Sequence, residues 1–292
     1  MFSYNKHFNS LKSYLDFYGL NFKTGSAACD FVPFKSNSYD LAGFIFRPKE
    51  YKATIFVLHG FLDHCGLLKH LVGFLLEQGF AVACFDLPGH GLSGGRPADI
   101  KDFSQYTCAL CNFAELVTGK LDGPYHLIGH SLGGAVAADY ILSGRESIFD
   151  KVILAAPLVR CRLWRLSKGA FRFSQPFGET IPRVFRRNCG DKQFLNFVKT
   201  KDPLQARKVT KRWVNALYRW NEKIADLKSI DKTIKIIQGT EDTTVAWKSN
   251  IDFLRKKFSG IEVSFIKSCR HELFNESADI RAGVFSQISN WL

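Results

Sequence analysis

Long apolar runs are missing from this sequence. No stretch approaches the roughly 20 consecutive apolar residues that a membrane-spanning helix needs, so a soluble or peripheral protein is expected. No secretory leader is visible either. The first residues, MFSYNKHFNSLKSYLDFYGLNF, have no basic cluster followed by an apolar run and a small-residue cleavage site, and read as a partly amphipathic helix. A cytoplasmic location follows as the expectation, peripheral to a membrane at most. Internal repeats and low-complexity tracts are absent. No spacing of His, Cys and carboxylates resembles a metal site, so neither metal nor cofactor is expected. Eight cysteines are scattered (29, 65, 84, 108, 111, 161, 189 and 269). In a chain without a leader they read as free thiols in a reducing compartment. Cys84 lies in an apolar strand-like run. Cys108 and Cys111 form a CxxC inside the helical stretch FSQYTCALCNFAELV, without a second ligand pair, and read as helix packing.

Acidic residues are scarce in one place. The chain has 40 Lys and Arg against 27 Asp and Glu, a formal net charge of +13. Between Leu158 and Ala225 stand 17 basic and 4 acidic residues, while the rest of the chain carries 23 of each. One segment holds the whole imbalance. Such a segment suits an anionic surface. No nucleic-acid module is recognisable, so nucleic acid is not expected as a partner.

What is present is a series of short apolar runs, each ending in Gly, Pro or His. CDFVPFK and LAGFIFRP read as a hairpin joined by the polar turn SNSYD. TIFVLHG, AVACFDLPGHG, YHLIGHS, KVILAAP, IKIIQG and EVSFIK follow, and helical patterns such as LLKHLVGFLLEQG separate the first four. Strands without alternation, divided by helices, imply a mostly parallel sheet covered by helices on both faces: an α/β fold. After KVILAAP, the sixth strand, the rhythm stops. Residues 158–230, rich in Arg, Lys, Phe and Trp, are expected to form a mainly helical cap over the carboxyl ends of the strands. Residues 1–157 and 231–292 are the expected core.

Gly129-His130-Ser131-Leu132-Gly133 is a GxSxG between the strand YHLIG and the helix AVAADYIL. A serine needs that sharp strand-to-helix turn to present its Oγ, and flanking glycines permit the close backbone approach. Unassisted, serine is a poor nucleophile, and it needs a base within reach and a third group to orient the base. In the α/β-hydrolase arrangement the chain order is Ser, then acid, then His. Of eight histidines only His271 follows the last strand, in the turn KSCRHEL. The loop IIQGTEDTTV offers Glu241 and Asp242 as the acid, whereas Leu158-Val159-Arg160 after KVILAAP contains no carboxylate. Acyl transfer also needs donors aimed at the developing oxyanion. The backbone N–H groups of Leu132 and Phe61 are placed to supply them. Asp86 and His90, in FDLPGHGLSGG, read as supports of a Pro-Gly-rich turn, and His64 and His70 as surface or supporting groups.

With HGFLDH, FDLPGHGLSGG, GHSLGG, QGTEDTTV and the RHEL turn in order, the chain from about Ile55 onward resembles the lysophospholipase and monoacylglycerol lipase branch of the α/β hydrolases, which also carries the serine-aminopeptidase name. The resemblance favours Asp242 over Glu241, and implies Ser131 as nucleophile, His271 as base and a lipid-like ester as substrate. Thioesterases and proline-type aminopeptidases share this core, and a scaffold that only binds lipid or protein is the non-enzyme alternative. Phe61 is larger than the residue the family often has there. Phe61, Trp164 and Phe171 are expected to touch substrate. Phe173, Phe177, Phe185, Phe194, Phe197, Trp213 and Trp220 are expected in the same acyl channel, with basic neighbours drawn to an anionic membrane surface.

Overall fold

The structure, a computed structural model, describes residues 7–22, 27–174 and 178–292, the side chains of Arg165 and Ser174 excepted. Helix α1 (Leu11–Tyr18) is shorter than the amphipathic stretch that announces it. Ser10 caps its start by accepting from the Ser13 N–H at 3.1 Å, and Gly19, at φ 67°, ends it in the left-handed region. Strand β1 (Ala28–Phe31) pairs antiparallel with β4 (Gly43–Arg47), as the hairpin reading requires. Their connection is more than a turn: β2 (Phe34–Ser36) and β3 (Tyr39–Leu41) form a second small ribbon between them. Pro33, which has no N–H, stands between β1 and β2, where the first ladder stops and the inner ribbon begins.

The chain then alternates through β5 (Thr54–Leu58), α2 (Lys69–Glu77), β6 (Ala81–Phe85), α3 (Ser104–Thr118), β7 (Tyr125–His130), α4 (Leu132–Leu142) and β8 (Phe149–Ala155). After an excursion described below it closes with β11 (Ile230–Gly239), α8 (Trp247–Arg255), β12 (Phe258–Ile266) and α9 (Ala278–Ser289). The eight-stranded sheet has the order β1-β4-β6-β5-β7-β8-β11-β12, with every pair from β6 to β12 parallel. Both faces are covered, which explains the missing alternation. Phe56, Phe85, Leu127 and Leu154 pack towards α3 and α4. Ile55, Val57, Val82 and Ile153 on the other face meet α1, α2 and α9. Each such side chain, fully withdrawn from water, contributes about 1.5–3 kcal/mol.

Between β8 and β11 lie α5 (Trp164–Ser174), β9 (Thr180–Pro182), α6 (Lys192–Thr200), β10 (Lys208–Thr210) and α7 (Lys211–Asp226). Besides the expected helices the segment holds an antiparallel ribbon, β9 with β10. No helix among the described residues is long and apolar enough to cross a membrane.

Register fixes what meets at the carboxyl edge. Leu58 pairs with Gly129, His130 with Ala155, Ala155 with Ile237, and Gly239 with Ile266. The loops after β5, β7, β11 and β12 therefore emerge side by side.

Candidate active site

Ser131 occupies the single residue between β7 and α4, at φ 50° and ψ −109°. A non-glycine residue in that region costs on the order of 1–3 kcal/mol, and the surroundings must hold it. They do so at both ends: its N–H donates to Ala155 O at 2.9 Å, and its carbonyl accepts from Ala135 and Leu158, both at 3.0 Å. A Cβ on Gly129 would stand 2.4 Å from Gly133 O, and one on Gly133 would stand 2.3 Å from Leu58 O. Both motif glycines are there for want of space.

The structure brings the three expected side chains together. His271 Nε2 lies 2.9 Å from Ser131 Oγ, and His271 Nδ1 lies 2.8 Å from Asp242 Oδ2. Asp242 also accepts from Gln238 Nε2 at 3.1 Å and from the N–H groups of Thr244 and Val245 at 2.7 and 3.2 Å. Burial raises this carboxyl, but His271 and those donors outweigh it, and the net shift is downward. Burial likewise lowers His271, yet the charge and hydrogen bond of Asp242, with Glu272 and Asp63 behind, raise it above its ordinary 6.5. Glu241 points elsewhere, half-exposed and 3.1 Å from Arg270 Nη2.

Leu132 opens α4, where the first N–H groups have no partner within the helix, and the Ser131 side chain does not cap them. The loop bearing Phe61 is tied beside it. His59 accepts from the Leu87 N–H through Nε2 at 2.9 Å, so its Nδ1–H donates to Gly60 O at 2.8 Å, and its carbonyl accepts from the Gly133 N–H at 3.1 Å.

A cavity of about 910 Å³ opens onto Ser131 and His271. Phe61, Trp164 and Phe171 line it as expected, together with Phe185, Phe194 and Trp213. Phe61 is stacked on Trp213 with ring centroids 3.6 Å apart. Other expected channel residues are elsewhere. Phe173 is 84% exposed. Phe197 packs on Phe17 and Tyr18, and Trp220 stacks on Phe103 while donating to Asp139 at 2.8 Å. Phe177 lies outside the described residues. Phe171 and Phe173, two residues apart on α5, fall on different faces. Phe197 and Trp220 have spacings that share a face with Phe194 and Trp213, and their packing on α1 and on Phe103 takes them elsewhere.

Asp63 and Glu272 also line the cavity, and sequence reasoning passed over both. With His130 they form a group whose ligand atoms lie within 4.8 Å of one another. His130 Nε2–H donates to His271 O at 2.9 Å, which leaves Nδ1 facing Asp63 Oδ2 at 3.8 Å. Burial and the charge of Glu272 push Asp63 up to about 7, while His130 and Arg183 act against that rise. Arg183 thus already supplies a positive charge beside these carboxylates, and the make-up of the group does not require a metal. Their signal was membership of HGFLDH and RHEL, motifs weighed for other residues.

The supporting histidines divide. His64 is not at the surface: it is fully buried, and its Nε2 lies 3.0 Å from Asp202 Oδ2. A ring this deep needs a partner, and the inserted segment supplies it. His70 is half-buried on α2. Asp86 holds its turn as expected, accepting from the N–H groups of Cys65 and Leu92, both at 2.7 Å. His90 Nδ1–H donates to Pro88 O at 3.0 Å. All eight cysteines are free, Cys108 and Cys111 on α3.

Comparison with known proteins gives the chain a family and a fold. Residues 49–278 match the family model described as serine aminopeptidase, S33. The chain is similar to a monoglyceride lipase homolog of Monkeypox virus, 24% identical over 82% of this chain and 89% of the relative. It is similar to monoglyceride lipase of Mus musculus, 25% identical over 82% of each chain. Its fold is that of a soluble variant of monoglyceride lipase from Saccharomyces cerevisiae, solved with a substrate analog, at a TM-score of 0.80, 18% identity and coverage of 93% and 96%.

Proposed function

Since the chain belongs to the serine aminopeptidase S33 family of α/β hydrolases, we propose that it hydrolyses the carboxylic ester of a lipid such as a monoacylglycerol or lysophospholipid. The observation that carries the reading is the hydrogen-bonded chain Ser131–His271–Asp242, whose Ser131 and His271 stand in the wall of a large, mainly apolar cavity. Ser131 Oγ attacks the ester carbonyl as His271 Nε2 takes its proton. Asp242 holds the imidazole in the required tautomer and stabilises the imidazolium. The N–H groups of Leu132 and Phe61 receive the developing oxyanion. His271 then returns the proton to the leaving alcohol, and water releases the acyl group from Ser131 by the reverse sequence.

The lining favours an acyl chain over a peptide, because Trp164, Phe171, Phe185 and Phe194 offer apolar surface to a long chain. Thioester cleavage and proline-type aminopeptidase activity are the enzymatic alternatives, and lipid or protein binding alone is the non-enzymatic one. Residues 158–230 act as the cap over the core formed by 1–157 and 231–292. That cap offers exposed apolar side chains, Leu163, Leu166 and Phe173, beside Arg162 and Arg172. This mixture suits peripheral contact with an anionic membrane from the cytoplasm.

A fluorophosphonate probe tests the core of the reading. It should label the protein at Ser131, and Ser131→Ala should lose both labelling and ester hydrolysis while keeping its melting temperature. Labelling that survives the substitution would remove Ser131 as nucleophile. Intact labelling without turnover on monoacylglycerols or lysophospholipids would leave the thioester and peptide alternatives.

A further inference from the structure

A second concavity, about 450 Å³, lies outside the catalytic cavity and shares none of its lining residues. Its wall is mainly cationic: Arg96 and Lys101 come from the stretch before α3 and Lys211, Arg212 and Arg219 from α7, with Glu179 the one carboxylate among the lining residues. α7 separates the two spaces. Val209, Trp213 and Leu217 look into the catalytic cavity, whereas Lys211, Arg212, Asn215 and Arg219, at helical spacing, look into the cationic cleft.

The cleft is built rather than merely charged. Asp99, whose side chain is 2% exposed, grips Arg212 through two hydrogen bonds, Nε to Oδ1 at 2.9 Å and Nη2 to Oδ2. Asp99 is itself fixed by the Thr210 hydroxyl at 2.6 Å. Burial opposes ionisation of Asp99, but Arg212 and Thr210 prevail and keep its carboxyl below the ordinary range. Arg96 is aligned by Glu179 at 2.8 Å. Arg219 donates through Nη2 to Lys101 O at 2.5 Å, a neutral partner, and the nearby Asp102, whose pKa its charge helps to lower, is not within ion-pair distance. Among the described residues no carboxylate lies within ion-pair distance of Lys101 or Arg219. Holding guanidinium groups at fixed angles removes much of the ordering cost of binding, and a planar fork matches two phosphate oxygens.

We propose that this cleft is a binding site for a phosphate-bearing ligand, either a soluble phosphate compound or the head group of an anionic lipid. The proposal stands apart from the hydrolase reading, because none of the cleft residues touches Ser131, Asp242 or His271. An occupant would rest on the outer face of the helix whose inner face stacks Trp213 on Phe61.

Two probes distinguish the sources. Pyrophosphate is titrated calorimetrically into the protein. Sedimentation with phosphatidylcholine vesicles, with and without phosphatidic acid, reports the lipid source. The double variant Lys101→Glu, Arg219→Glu should weaken whichever binding the wild type shows by about tenfold or more, as loss of charge-assisted contacts predicts. The double variant Arg162→Glu, Arg172→Glu, on α5 and the turn before it, should leave pyrophosphate affinity unchanged. Pyrophosphate binding alone assigns a soluble ligand, and recruitment to phosphatidic acid alone assigns a lipid head group. If the reversals disturb folding, Lys101→Gln with Arg219→Gln removes the same charges. Absence of binding to both probes, pyrophosphate binding weakened equally in the two double variants, or vesicle recruitment that the Lys101 and Arg219 reversals leave intact overturns the proposal.

Discussion

At Asp242 a single carboxylate organises four donors: the His271 ring, the Gln238 amide and two backbone N–H groups. Asp242→Asn breaks this set, since the amide presents N–H where the His271 Nδ1–H must donate. Turnover should fall by roughly three to four orders of magnitude, while Glu241→Gln, half-exposed and paired with Arg270, should change little. Steady-state kinetics on one soluble ester checks both. A reversed order would make Glu241 the acid. If His271 is the base proposed above, its raised pKa sets the acid limb of the pH profile. The base must be neutral to work, so activity is lost as pH falls through its pKa, and the midpoint should lie above the ordinary 6.5. Asp63→Asn removes one of the charges that raise it, so the midpoint should move to lower pH. An unmoved limb would show that Asp63 does not sense His271. The triad was legible because each member sits at a fixed place in the order of strands and loops. Asp63 and Glu272 were not, because their meaning comes from His130 and Arg183 arriving from two other segments.

Larger pieces depend on the same tight approaches. β7, the Ser131 turn and α4 leave no room for a methyl group at 129. Gly129→Ala should destabilise the protein by about 1–3 kcal/mol, as overpacking does, and lower activity beyond the loss of folded protein. Urea denaturation with activity per folded molecule separates these effects. Asp202 is one of several buried ties between the inserted segment and the core: just after α6, it accepts from Tyr18 of α1 at 2.8 Å, from His64 at 3.0 Å and from Gln205 of its own segment at 2.8 Å. Asp202→Ala should cost about 3 kcal/mol by stranding those donors, visible as a lowered melting temperature. An unchanged melting temperature would mean that water replaces the carboxylate. The parallel sheet and its helices could be read from unbroken apolar runs. The ribbons β2–β3 and β9–β10 could not, because strands of three residues leave no periodicity to detect.

For the molecule as a whole, the uneven charge is the property most open to test. The basic excess falls in the segment that supplies much of the lining of the cavity at Ser131, and Arg162 and Arg172 stand next in sequence to Leu163, Phe171 and Phe173. Not every charge is available: Lys168 is paired with Glu222 at 2.9 Å, and Arg212 is held by Asp99. Attraction to an anionic leaflet is worth about 1 kcal/mol per basic residue near it, and is screened within about 10 Å at 0.1 M salt. Hydrolysis of a lysophospholipid presented in anionic micelles should therefore fall as salt rises, while turnover of a short soluble ester should stay nearly constant. Arg162→Glu with Arg172→Glu should reproduce the high-salt behaviour at low salt and spare the soluble ester. Phe173→Ser should weaken vesicle binding at every salt concentration, since the ring's apolar contribution is not screened. Equal responses of both substrates to salt and to charge reversal would make this face a solvated surface, and the lipid assignment would then rest on the cavity beside Ser131.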